Sequence, residues 1–382
     1  MKHLNNEFRK LKKIAYIELD THAEIALNFM ELMNDSKAFS VDYYFSEKIL
    51  RFFGFAQNDK LPENIKKATP ENLIQQLSTD NYQIIIIGTV HRYFNIFEKV
   101  AEQFNTSIIC HNLNFVKASK LDLLSSVFKE DFKYRLKLLL KEGLLRKSKV
   151  YEKAKNLLVL DQTLKCNVIL NEAQHNQIKS ETLNEDYERT SEESFKFLPI
   201  FYTKFSEKSD NPIFTIVIPG AVSQKRRDYE RVLKSIKIFH FPSEIIFLGK
   251  ASGKELEMLQ DFEKSKPDNI SIKYFTEKVP QDVFDNFMQK ADVLWCPIQQ
   301  ETEFFSQKEI YGFTKMSGNI GDAVKFGKLA VFPENYPSKY SFIIPEKRNV
   351  EEFLFIKKEV DFSEFSKEKV LQELEKTIFA LL

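Results

Sequence analysis

The chain has 382 residues, 43% of them hydrophobic, with 56 Lys+Arg against 55 Asp+Glu and a formal net charge of +1. Single cores rarely grow beyond roughly 250 to 300 residues, so the length calls for two or more globular domains. The charge balance gives no sign of nucleic-acid binding, and Cys110, Cys166 and Cys296 have neither metal-ligand nor disulfide-framework spacing, which fits a reducing cytoplasm.

No uninterrupted apolar core for a signal peptide occurs at the start, and no segment approaches 18 apolar residues. The expectation is a soluble cytoplasmic protein that touches a membrane, if at all, from the inner face of the plasma membrane. Apolar, β-branched runs then recur near 13–19, 39–45, 82–88, 106–112 and 156–161, with amphipathic segments such as HAEIALNFMELM between them. This pattern predicts parallel strands joined by crossover helices. A polar stretch, NEAQHNQIKSETLNEDYERTSEES, precedes a last strand in FKFLPIFYT and a linker near 203–212.

The second series is cleaner. Strands are predicted at 213–220, 243–249, 270–275, 292–298 and in LAVFP, with helices in RRDYERVLKSIKIF, KELEMLQDFEKS and PQDVFDNFMQKA. The fold class is therefore α/β, two Rossmann-like domains facing across a cleft, 1–204 and 212–382, with the last helix, about 366–382, packing back on the first. Neither half holds a GxxxxGK[ST] or GxGxxG motif.

Only ten glycines occur in the chain, yet Gly312, Gly318, Gly321 and Gly327 fall within the 25 residues EIYGFTKMSGNIGDAVKFGKLAVFP. Such a cluster asks for a loop that something approaches closely. With VIPGAVSQKRRDY, IIFLGKASG and IKYFTEKVPQDVFDNFMQKADVLWCPI ahead of it, this stretch resembles the donor domain of GT-B glycosyltransferases, specifically the group 1 retaining (family 4-like) enzymes. The resemblance spans Ile213 to Pro333. It implies a transferase that moves a sugar from a nucleotide-sugar donor to a hydroxyl of a glycan or lipid-linked acceptor, with retention and without metal or cofactor.

The resemblance also implies site residues. Ser317, Gly318 and Asn319 would cradle the diphosphate at a helix N-terminus, with Gly220 and Gly249 at the preceding strand ends. Arg226 takes the family's basic position and Lys315 is a second cation; a solvated turn with Arg227 paired to Asp228 or Glu230 is the plain alternative. Asp322 would accept the ribose diol, or else cap its helix. Glu309 would face the donor sugar, with Glu301 or Glu303 as substitutes, since twelve residues separate it from Asp322 and the family's two acids are glutamates lying closer together. Thr276 and Val279 would meet the base.

In the first half His22, His91 and His111 each follow a predicted strand end. Ligands collect outside the carboxyl ends of parallel strands, so the three should converge on the cleft, His91 and His111 as catalytic candidates and all three on the acceptor side. Local capping or packing explains any one of them alone. No Asp-x-Asp pair or His/Cys cluster supports a metal site. Lys117 to Lys155 holds twelve Lys/Arg and five Asp/Glu among apolar residues, a pattern that suits an anionic membrane surface or a solvated helical face. Two other readings stay open: a GT-B sugar-nucleotide epimerase or hydrolase, and a non-catalytic glycan-binding scaffold.

Overall fold

The computed structural model describes residues 11–382 apart from 57–58, 130, 165–194, 206–209, 347–348 and 356–359. The polar stretch after Leu170, part of the linker and Cys166 lie outside the described residues. The chain divides into two compact units: Met1–Ile200 with Phe305–Gln307 and Glu368–Leu382, and Phe201–Phe304 with Lys308–Lys367.

The first unit is built on a seven-stranded parallel sheet. Its strands are β1 (Lys12–Glu18), β2 (Phe39–Phe45), β3 (Ile65–Lys67), β4 (Ile84–Ile87), β5 (Thr106–Ile109), β6 (Asn156–Val159) and β7 (Lys196–Phe197), in the order β3-β2-β1-β4-β5-β6-β7. β4 reads Ile-Ile-Ile-Ile and is buried throughout, as expected for a central parallel strand covered on both faces. The helix Lys367–Leu381 adds Val370, Leu374, Ile378 and Leu381 to this unit's buried residues, and Phe379 packs on Phe39 with ring centroids 4.7 Å apart.

The second unit repeats the plan with β8 (Phe214–Pro219), β9 (Ser243–Lys250), β10 (Ile270–Phe275), β11 (Val293–Trp295), and, beyond a two-stranded hairpin of β12 (Glu301–Phe304) and β13 (Gln307–Ile310), β14 (Ala330–Pro333) and β15 (Ile343–Glu346). The sheet order β10-β9-β8-β11-β14-β15 turns back between β8 and β11 just as the first turns back between β1 and β4. Both are doubly wound sheets, and such sheets bind ligands where the strand order reverses. Amphipathic helices supply apolar faces to these layers; Tyr229–Ile236, for example, buries Tyr229, Val232, Leu233 and Ile236 at helical spacing.

Four strands among the described residues escaped the sequence pattern. β3 and β15 are short edge strands, IKK and IIPE, too small to show alternation. The hairpin is hidden because ETEF and QKEI are polar and their connection, Phe305–Ser306, lacks the glycine or asparagine that marks such a turn. Both residues nevertheless adopt positive φ, 50° and 55°.

Candidate functional site

At the carboxyl edge of the second sheet, Gly220 leaves β8 with φ of +102°. Its amide donates to Leu248 O at 3.0 Å and Val222 N to Lys250 O at 3.2 Å, so the turn is laced to β9. Gly249 lies directly beneath: a Cβ there would stand 2.2 Å from Gly220 O. The loop after β8 is also tied to the loop after β11, since Asp228 N donates to Pro297 O at 2.8 Å and Gln299 N to Arg226 O at 2.9 Å.

Two arginines in this loop part company. Arg226 is exposed, whereas Arg227 is buried. Arg227 pairs with neither Asp228 nor Glu230. Its Nη1 donates to Ala221 O (3.3 Å) and its Nη2 to Asn319 Oδ1 (3.1 Å), while its buried Nε–H finds no acceptor. Asn319 in turn donates through Nδ2 to Asp322 Oδ2 (3.0 Å) and Pro219 O (3.4 Å). The end of β8, the basic loop and the helix Gly318–Phe326 thus meet at one amide.

That helix is capped by Ser317, whose hydroxyl accepts from Asn319 N at 3.3 Å. Its first residue, Gly318, is exposed, and a Cβ on it would meet nothing within 4 Å. The other three clustered glycines have structural causes. Gly312 has φ of +82° against Pro337, Gly327 closes the helix at φ of +59°, and a Cβ on Gly321 would stand 2.7 Å from the Phe201 ring. Gly321 is therefore a packing residue inside the helix.

Lys315 lies over the Phe304 and Tyr311 rings at 5.7 and 6.0 Å. Burial holds its ammonium below the ordinary value, opposed by the charge of Glu309 and aided by that of Arg226, so these three charges are neighbours. Glu309 itself is fully buried on β13, while Glu301 and Glu303 sit on β12, Glu301 paired with Lys308. Thr276 is exposed past the end of β10, and Val279 packs on the core.

The first unit brings its three histidines together. His22 follows β1, His91 follows β4 and His111 follows β5. The His22 and His111 rings stack with centroids 3.6 Å apart at 11°, and His91 stands edge-on to both at 5.8 and 5.9 Å. His111 Nε2 lies 2.8 Å from Gly88 O, His91 Nε2 lies 3.4 Å from Asn112 Nδ2, and His22 Nδ1 lies 2.8 Å from Thr89 Oγ1 and 3.1 Å from Thr21 Oγ1.

Beneath them is a carboxylate that the pattern did not single out. Glu18, fully buried at the end of β1, accepts from Thr89 Oγ1 at 2.6 Å and from the amides of Asp20 and Thr21 at 2.9 and 3.2 Å. Burial raises its pKa, against these hydrogen bonds. A Cβ on Gly88 would lie 2.6 Å from Glu18 Oε2, so glycine there makes the room. The available signals were a lone acid closing the apolar run KIAYIEL and the Gly-Thr that ends IIII. Among the described residues no His, Cys, Asp and Glu group is arranged to hold a metal ion.

The basic segment divides. Lys147 is buried, donates to the carbonyls of Phe115, Val116 and Ala118 at 2.6–2.7 Å, and is pushed by burial down to about 8. Arg135 is also buried, and Arg146, Lys149 and Lys153 gather on Glu98. Lys120, Lys129, Lys133 and Lys141 remain exposed, interleaved with Leu121, Phe128 and Leu140, which are 77%, 78% and 73% exposed.

No protein-family model and no curated protein sequence matches the chain. Solved structures do. The apo lipopolysaccharide outer core galactosyltransferase WaaB aligns over 97% of this chain and 100% of its own, with a TM-score of 0.51 and 14% identity. Alr3699/HepE of Anabaena, solved in complex with UDP-glucose, aligns over 96% and 99%, with a TM-score of 0.52 and 10% identity. The fold is GT-B. In the GT-B frame β8 to β15 form the second of the two Rossmann-like units, and the Arg227–Asn319–Asp322 chain lies at the point where its strand order reverses. No helix among the described residues is long and apolar enough to cross a membrane.

Proposed function

We propose that this GT-B protein is a glycosyltransferase that binds a nucleotide-sugar donor on its second unit and transfers the sugar, with retention and without a metal, to a hydroxyl of a glycan or other acceptor. The observation that carries the reading is the N-terminus of Gly318–Phe326. An open glycine, a serine cap and the positive end of a helix dipole stand with Arg226, Arg227 and Lys315 in one small region. Three cations and orphan amides call for an anion of more than one charge, and a diphosphate supplies it. Asp322, which accepts from Asn319, is our candidate for the ribose diol, and Glu309 beside Lys315 our candidate for the donor sugar.

The test is a thermal-shift screen with UDP-, GDP-, ADP- and dTDP-sugars, followed by turnover with and without acceptors. A donor at 100 times its Kd stabilises by about 2.7 kcal/mol, which for units of this size raises Tm by roughly 5 to 11 °C. Asp322→Asn is expected to keep the wild-type Tm and lose most transfer. A flat screen overturns the donor site. Conversion of the sugar without acceptor makes the protein an epimerase or hydrolase, and binding without any turnover makes it a scaffold.

A second reading concerns the first unit's surface. Exposed Leu121, Phe128 and Leu140 among four lysines suit the headgroup region of an anionic bilayer, where apolar tips insert and ammonium groups meet phosphate. The expected result is sedimentation with anionic but not zwitterionic vesicles at low salt, weakened about 10-fold or more by Phe128→Glu, since burying one such ring contributes about 1.5–3 kcal/mol. Wild-type protein that ignores anionic vesicles ends this reading.

A further inference from the structure

The last turn of a helix leaves carbonyls that no amide of the helix itself can reach. In Gly318–Phe326 the closing turn at Gly327 returns its amide to Ala323 O and Val324 O, whereas Lys325 O is met from outside the helix, by the amides of Lys204 and Phe205 at 2.9 and 3.1 Å. Those two residues stand at the opening of the second unit, in the stretch Phe201–Phe205 that follows Ile200. The same stretch grips the helix with its rings. Phe205 stacks on Phe326, centroids 5.2 Å apart at 9°, and the edge of the Phe201 ring lies only 2.7 Å from where a Cβ on Gly321 would stand. Thr203 N donates to Phe365 O at 2.8 Å, which ties the stretch to a further segment of the unit. Gly321 falls in sequence between Asn319 and Asp322, whose side chains are hydrogen-bonded to each other.

We infer that Phe201–Phe205 is a strap that sets the position of the helix Gly318–Phe326, and that Phe201 is a positioning residue for the donor, acting through Gly321 on Asn319 and Asp322. The strap rests on contacts within the second unit; the donor role rests on the transferase reading above. A ring packed on a glycine meets the helix backbone with no side chain between them, so a shift of one is passed to the other. The composition agrees. FYTKF has three aromatic residues in five, where a passive flexible connection is rich in glycine and serine. Linkage makes the effect reciprocal, since a strap that favours the anion-binding position of the helix must itself be tightened when the anion binds.

Two measurements test the inference separately. Amide hydrogen exchange on the full chain without ligand should show Lys204 and Phe205 exchanging about 10-fold or more faster in Phe201→Ala than in wild type, with Phe201→Tyr restoring protection. Unchanged exchange at both amides in Phe201→Ala overturns the strap, and Phe201→Leu is the second variant should Phe201→Ala not fold. With UDP, GDP, ADP and dTDP as probes, whichever binds wild type should slow the same two amides and should bind Phe201→Ala about 10-fold more weakly. Phe262→Ala, which opens a separate core of the same unit, should lower Tm without that loss of affinity. In steady-state transfer Phe201→Ala should raise KM for the donor about 10-fold and leave KM for the acceptor alone. Wild-type affinity in Phe201→Ala, or an equal loss in Phe262→Ala, overturns the positioning role while the strap stands. Binding of none of the four diphosphates refutes the donor reading and the positioning role with it, and the ligand-free exchange still decides the strap.

Discussion

Arg226→Gln is expected to leave the melting temperature unchanged and to weaken nucleotide diphosphate binding roughly 10- to 150-fold, whereas Arg227→Gln is expected to lower both stability and affinity. The difference follows from where each guanidinium sits. Arg226 is exposed and close enough to Lys315 to depress it, so it gives up only a charge-assisted contact, worth about 1.5–3 kcal/mol. Arg227 is buried and joins Ala221 O to Asn319 Oδ1, so its loss also strands Asn319 beside Asp322 and costs about 2 kcal/mol of stability. Calorimetric titration with the nucleotide diphosphate that the screen selects, beside a melting curve for each variant, separates the roles. Wild-type affinity in Arg226→Gln removes that residue from the donor site.

Gly249→Ala is expected to be among the most damaging single changes in the second unit. Its new methyl would lie 2.2 Å from Gly220 O and 2.6 Å from Gly220 C, in backbone that cannot swing aside because Gly220 N and Val222 N are bonded to β9 on either side. Overpacking of this kind costs about 3 kcal/mol, which in a unit of this size is a Tm loss of roughly 6 to 12 °C. A wild-type Tm with loss of nucleotide binding would instead give Gly249 a direct role in holding the donor.

Strand and helix periods were legible in the sequence wherever a buried run was long enough. Phe39–Phe45 stands where the pattern put it because β-branched and aromatic residues buried in a parallel sheet leave a continuous signature, and the edge strand Ile270–Phe275, with only Ile270 buried, shows instead as the apolar–polar alternation of ISIKYF. FKFLPIFYT shows the limit, since only Lys196–Phe197 pairs as a strand. The glycine cluster was legible as a feature but not in its causes. One dense run hides a left-handed turn at Gly312, a helix close at Gly327, a ring contact at Gly321 and open space at Gly318, and only the last leaves the backbone accessible. Likewise the convergence of His22, His91 and His111 could be read from strand ends, but Glu18 could not. Its significance depends on Gly88 and Thr89, some 70 residues away, which a linear pattern does not connect.

The helix Lys367–Leu381 has a consequence for how the protein is made. It completes the first unit, yet Glu375 meets Ser36 across 339 residues of chain, and Phe379 closes over Phe39 at the far side of β2. A ribosome moving at about 5–20 residues per second needs roughly 8 to 33 s to pass from Ile200 to the start of that helix. Throughout that interval the nascent first unit holds an apolar face uncovered while the second is synthesised behind it. Chaperone capture of the nascent chain should therefore concentrate on the first unit and end only when the last helix emerges, and a chain shortened before Glu368 should stay chaperone-bound even though nearly all of both sheets is present.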